Sequence, residues 1–76
     1  MGQEIKLTTI EDDYNPIKIY LCEYMGKKDL RIHKMFYKDG DLKNCSNPIQ
    51  LNCGDYEILL DTLIKNKDKI RGFLLS

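Results

Sequence analysis

The chain has 76 residues, and its 12 basic and 12 acidic side chains cancel. A single domain of that length buries only about 60% of its unfolded surface, so it sits near the lower limit of independent stability, where oligomerisation is a common remedy. No stretch approaches the ~20 apolar residues of a membrane-spanning helix, and the neutral total lacks the overall positive charge common in nucleic-acid binders.

In chain order, residues 3–10 alternate, with Glu4, Lys6 and Thr8 on one side and Ile5, Leu7 and Thr9 on the other. This reads as a half-buried first strand. The same N-terminus does not read as a secretory leader. Gly2 raises N-myristoylation, but Lys6 stands where that signal needs Ser or Thr. Residues 11–16, ending in Asn15-Pro16, are turn material. Residues 17–24 form a second strand, with Ile17, Ile19 and Leu21 on one face and Lys18, Tyr20, Cys22 and Tyr24 on the other. Residues 25–28 turn the chain.

A third strand runs over residues 30–37 and ends in Met35-Phe36-Tyr37. Asp39-Gly40 follows, and Asp-Gly after a strand-like run is a strong hairpin signal. A loop carrying Lys43, Asn44 and Pro48 leads to a short strand at residues 49–51. Asn52 then opens a helix, with Asp55 three residues on where a capping box places an acid. Tyr56, Leu59, Leu60, Leu63 and Ile64 make its apolar stripe. Acids early and Lys65, Lys67, Lys69 and Arg71 late complement the helix dipole. Gly72 reads as the helix stop, which leaves Phe73-Leu74-Leu75 as an apolar tail that its own sheet or a partner subunit must cover. The fold class is therefore α+β, ββββα: a four-stranded antiparallel sheet followed by one C-terminal helix.

The charge is unevenly spread. Residues 1–13 carry four acids against Lys6, residues 14–50 carry seven Lys or Arg against four acids, and residues 51–76 balance at four each. The central strands are thus the basic part, and they also carry aromatics. Single-stranded nucleic acid needs cations along its phosphates and ring faces for its bases. Lys18, Lys27, Lys28, Arg31, His33 and Lys43 are the candidate phosphate contacts. Tyr24, Phe36 and Tyr37 are the candidate stacking rings, with Tyr20 beside them. Solvated strand faces and core packing are the alternatives for these cations and for Phe36.

The three cysteines, Cys22, Cys45 and Cys53, are odd in number and read as reduced intracellular thiols. With His33 they make four potential zinc ligands, but no C-x-x-C spacing supports a site. One His, no nucleophile motif and no phosphate-binding glycine loop argue against an enzyme. Ala, Val and Trp are absent while Ile, Lys, Asn and Asp are abundant, a bias that suggests an AT-rich genome, viral or microbial.

Over residues 16–66 the chain resembles the positive cofactor 4 family of transcriptional coactivators, specifically its C-terminal single-stranded-DNA-binding domain. The residues that carry the resemblance are Gly26-Lys27, Met35-Phe36-Tyr37, Gly40-Asp41-Leu42-Lys43, Ile49-Gln50-Leu51, Asn52 and Tyr56. The family's basic Pro-Gly-(Arg/Lys)-Lys-Gly loop is Asn44-Cys45-Ser46-Asn47-Pro48 here. The resemblance implies a curved sheet and a homodimer built through the helix. Leu59, Leu60, Leu63, Ile64, Phe73 and Leu74 are then the dimer interface, and no cofactor or metal is expected. It implies largely sequence-independent binding of single-stranded DNA or melted duplex, in transcription, replication or repair. Tyr24, Lys27, His33 and Phe36 occupy the family's contact positions. An intracellular location follows: the nucleus in a eukaryote, otherwise the cytoplasm or a viral replication compartment. The alternative is an interaction module of the transcription machinery that keeps the fold without the DNA affinity.

Overall fold

A computed structural model describes residues 2–45 and 47–76. Met1, and Ser46 of the expected 44–48 loop, lie outside the described residues. The elements are β1 (Gln3–Ile10), β2 (Ile17–Tyr24), β3 (Lys27–Lys38), β4 (Asp41–Asn44), β5 (Ile49–Leu51), α1 (Cys53–Lys65) and α2 (Lys67–Leu75). They form an α+β fold in which an antiparallel sheet of order β1-β2-β3-β4, with β5 also on β3, precedes the C-terminal helices.

Three local features set the strand ends. Asp12 Oδ1 accepts the backbone N–H groups of Tyr14 (2.9 Å) and Asn15 (2.8 Å). Asn15 Nδ2 then donates to the Met35 carbonyl (3.0 Å), and the Pro16 carbonyl accepts the Met35 N–H (2.9 Å). This ties the entry of β2 to the middle of β3. The β2–β3 turn is Met25-Gly26, both with positive φ (52° and 79°), and the β3–β4 turn is Asp39-Gly40 (54° and 83°). Two consecutive positive φ values match the type I′ turns that fit the right-handed twist of a hairpin.

The region expected to be a loop after Gly40 contains β4, which pairs Met35↔Asn44 through Lys38↔Asp41. The Cys45 N–H continues to the Lys34 carbonyl (3.1 Å), and β5 resumes at Ile32↔Ile49. Between those pairs the register slips by two residues, so β4 and β5 act as one interrupted strand along the same side of β3. The sheet therefore has five strands, where four were expected.

Asn52 caps α1 as expected: its backbone is extended and its Oδ1 accepts the Asp55 N–H at 2.9 Å. The helix does not run unbroken to Gly72. It breaks at Asn66 (φ −108°, ψ 12°), whose Nδ2 and backbone N–H both donate to the Thr62 carbonyl (2.8 and 3.1 Å). Ile70 N–H to the Asn66 carbonyl (2.8 Å) restarts the spiral as α2. Gly72 lies inside α2 without a positive φ, so it is not the left-handed cap its position suggested. Phe73, Leu74 and Leu75 are helical, and the end is closed by Ser76, whose hydroxyl donates to the Phe73 carbonyl (2.6 Å).

The core is small. Tyr20, His33, Met35 and Pro16 are the buried side chains, and neither helix contributes one. The first turn of α1 borders an open groove of about 610 Å³ on the apolar side of the sheet, lined by Ile5, Leu7, Ile19, Leu21, Leu30 and Tyr56, among others. The accessible surface is 6542 Å², against about 4,800 Å² for a compact monomer of this mass. The radius of gyration is 14.6 Å, against about 11 Å for 76 compact residues. Much apolar surface is thus left open along the helices: Leu60, Leu63, Ile64, Phe73 and Leu74 are all exposed and Leu59 is half-buried.

Candidate nucleic-acid interface

Strand alternation and register divide the sheet into two faces. On the polar face the β2–β3 pairs are Lys18↔His33, Tyr20↔Arg31, Cys22↔Asp29 and Tyr24↔Lys27. The pairs Glu4↔Cys22 and Lys6↔Tyr20 add β1 to this face. Tyr37, on the same parity as His33, extends it toward β4. The apolar face carries Ile5, Ile17, Ile19, Leu21, Leu30, Ile32, Ile49 and Leu51.

Tyr24 and Lys27 are the outermost pair of the β2–β3 ladder and flank the Met25-Gly26 turn. Tyr24 is 58% exposed and Lys27 is exposed. The tyrosine ring is backed by Gly2: a Cβ on Gly2 would lie 3.2 Å from Tyr24 Cδ2 and 3.4 Å from the Glu23 carbonyl oxygen. Glycine thus lets the N-terminal backbone approach the ring and hold its inner side. More than half of the tyrosine remains open to solvent, and Lys27 is its cross-strand partner.

The middle of the polar face is engaged within the protein. The Tyr20 hydroxyl lies 3.4 Å from His33 Nδ1, and the two rings are nearly parallel with centroids 6.4 Å apart. Lys18 Nζ sits 4.5 Å from the centre of the Tyr20 ring, a cation–π arrangement. His33 is only 6% exposed, so this expected phosphate contact lies under the surface, as part of the floor beneath Lys18. Arg31 Nε donates to Asp29 Oδ1 at 2.8 Å, and both side chains are largely covered. That hydrogen bond is the main cause of the raised Arg31 pKa. Asp29 also offsets the Arg31 charge, which leaves Lys18 and Lys27 as the more open cations between β2 and β3.

Three expected contacts fall elsewhere. Lys28 pairs with Glu23 on the apolar-face parity, its Nζ 3.6 Å from Glu23 Oε2, and lines the groove bordered by α1. Phe36 shares parity with Leu30 and Ile32, is half-buried, and faces Lys43 across the β3–β4 ladder. Lys28, Phe36 and Lys43 are therefore on the opposite side from Tyr24 and Lys27, and a single strand crossing the polar face does not reach all nine candidates. Of the strand-end aromatics, Tyr37 is the one on the polar-face parity, and it is exposed.

Sequence reasoning missed Gly2, Lys6 and Asp29 as parts of this face. The β1–β2 register, which brings Gln3 to Glu23 and Lys6 to Tyr20, is the signal that recruits the first two. Among the described residues no group of three or more His, Cys, Asp or Glu side chains could hold a metal ion, and no helix is long and apolar enough to cross a membrane. Cys22, Cys45 and Cys53 are free thiols. No family model, curated protein or solved structure matches the chain.

Proposed function

We propose that the protein is a homodimeric domain that binds single-stranded DNA, or the separated strands of a melted duplex, with little sequence preference. It acts in transcription, as a coactivator of the positive cofactor 4 type, or in replication or repair. The reading rests above all on the Tyr24–Lys27 pair, an exposed ring and a cation side by side at the end of a polar strand face. Stacking on such a ring tolerates any base, because every base has a π-face, and a neighbouring lysine neutralises the phosphate that follows.

The homodimer is supported by surface. The excess over a compact monomer is about 1,700 Å² per copy, which for two copies falls in the ~2,000–5,000 Å² range of obligate dimers. Leu59, Leu60, Leu63, Ile64, Phe73 and Leu74 carry much of the apolar area on the helices. Packing the helices of two copies together, between their curved sheets, covers that area and leaves the polar faces outward. In that arrangement Leu63→Glu or Phe73→Glu yields a monomeric or unfolded chain by sedimentation.

A specific observation favours a second reading. Arg31 is held by Asp29, His33 is buried, and the chain is neutral overall. A polar strand face on which Arg31 and His33 are both engaged suits an interaction module of the transcription machinery, docked through the 73–75 segment. Anisotropy of a labelled, unstructured oligonucleotide, measured as salt is raised, separates the two. The first reading gives binding at low salt that weakens steeply with added salt. Binding that is absent at low salt, or indifferent to salt, favours the second.

A further inference from the structure

β1 is an edge strand whose outer side pairs with no strand among the described residues. Seven of its eight residues are exposed, including the apolar Ile5, Leu7 and Ile10. It contains no proline, and Lys6 is its one lysine. An edge this open is a template for another strand unless it is blunted. It also lies outside residues 16–66, which carry the family resemblance.

The register determines which residues of β1 are free to pair outward. A two-residue turn makes Tyr24 and Lys27 a hydrogen-bonded closing pair. Alternation along β2 then turns the backbone of Glu23 and Leu21 toward β1, and that of Gln3 and Ile5 toward β2. Glu4 and Lys6 are left with their N–H and C=O groups pointing outward. The ladder is regular up to Lys6. Leu7 is the extra residue of a bulge between Lys6 and Thr8, which ends the flat part of the edge.

We propose that this edge is a second self-association surface, in which β1 of two copies pair antiparallel about a two-fold axis through Ile5. Glu4 of each copy then faces Lys6 of the other, twice across the axis, as a self-complementary charge pattern. The same register puts the outward N–H and C=O groups of Glu4 and Lys6 opposite one another, so charge and hydrogen-bond geometry select one alignment. Ile5 meets Ile5 of the second copy on the apolar face. A two-fold axis perpendicular to the sheet keeps both polar faces on the same side, joined into one surface. The flat segment is short, so the contact is weak and depends on concentration. Combined with pairing through the helices, it links dimers into larger assemblies. The proposal does not need the polar face to bind nucleic acid.

Sedimentation without oligonucleotide tests it, with protein raised through the micromolar range at low salt. The expected result is an average mass that climbs above the helix-mediated dimer for the native chain. Lys6→Glu, which sets Glu4 against a second acid, holds the mass at the dimer. The double swap Glu4→Lys with Lys6→Glu restores the climb. A native mass that does not rise with concentration, or a rise that Lys6→Glu leaves intact, overturns the proposal and leaves the edge for a strand of a different protein, as does a double swap that fails to rescue. A rise from monomer to dimer that Lys6→Glu abolishes keeps the β1 pairing and removes the helix-mediated dimer instead. A second measurement reads the register. With Cys22, Cys45 and Cys53 changed to serine, Ile5→Cys lies at a non-hydrogen-bonded pair, where Cα atoms approach to about 4.5 Å, within disulfide range. Air oxidation with a copper catalyst joins two such chains faster than it joins Glu4→Cys chains. Equal rates, or no cross-link, contradict the alignment.

Discussion

Tyr24 and Lys27 face each other as the last pair of the β2–β3 ladder, so the most exposed ring of the polar face and its nearest open cation share one hairpin end. The pairing follows from a two-residue turn, Met25-Gly26, in which both residues take positive φ. Glycine adopts that backbone freely, whereas methionine does so at a cost in strain. The ring is set further by Gly2, whose backbone lies against it.

Gly2→Ala tests that support. The added methyl sits 3.2 Å from Tyr24 Cδ2, so the ring must shift by a few tenths of an ångström. The expected outcome is a modest loss of oligonucleotide affinity, smaller than that of removing the ring, with an unchanged melting temperature. Equal affinity for the variant and the native chain shows that the backbone of Gly2 does not orient Tyr24.

Lys27 and Lys28 are neighbours in sequence but point to opposite faces. Lys27→Ala is expected to flatten the plot of log affinity against log salt by about 0.7, the share of one phosphate contact on a single strand. Lys28→Ala is expected to leave that slope unchanged, since Lys28 sits at the groove bordered by α1, beside Glu23. Equal effects from the two substitutions contradict the division of the faces.

Much of the fold is legible in the sequence. The alternation at residues 3–10 and 17–24 gives the bounds of β1 and β2, but not the bulge at Leu7, which moves Thr8 to the face of Ile5 and Thr9 to the face of Lys6; Asn52 announces α1. β4 was not legible as a strand, because Asp41-Leu42-Lys43-Asn44 has neither β-branched residues nor an apolar face. Its pairing comes from the Asp39-Gly40 turn returning the chain along β3. Gly72 misleads because a glycine after basic residues resembles a helix end, whereas the real break is at Asn66, where a side-chain amide competes for the Thr62 carbonyl. For the site, the parity Phe36 shares with Leu30 and Ile32 already sets it apart from His33, whereas the faces of Lys28 and Lys43 follow only from the observed registers of β3 with β2 and β4. The burial of His33 is tertiary: it depends on Tyr20 lying beside it across β2–β3, and no local pattern encodes that.

The cap on α1 gives a stability prediction. Removing the Asn52 Oδ1 acceptor leaves the Asp55 N–H without its side-chain partner. Asn52→Ala is expected to cost about 1 kcal/mol, or roughly 4–8 °C of melting temperature for a domain of this size. Asn52→Asp keeps the acceptor and is expected to keep the stability. A calorimetric scan of the two variants checks both statements.

The β1–β2 loop gives a pH prediction. The Asn15 N–H, and after it the Tyr14 N–H, hold the Asp12 carboxylate below its ordinary pKa. A depressed folded-state pKa means the turn is supported above the ordinary carboxylate range, and the support fades as pH falls through the lowered value. An NMR titration is expected to show Asp12 protonating below an ordinary aspartate, with the amide shifts of Tyr14 and Asn15 moving in step. A normal Asp12 titration contradicts this account of the turn.

The most direct test of the central claim is the affinity of Tyr24→Ala for a labelled oligothymidine, compared with the native chain by anisotropy at one low salt concentration. Loss of one stacking platform is worth ~1–3 kcal/mol, so the affinity is expected to fall roughly 5- to 150-fold, with the dimer mass unchanged. A native chain that does not bind, or a variant that binds as tightly as the native chain, contradicts the claim that this ring and its neighbouring lysine grip a single strand.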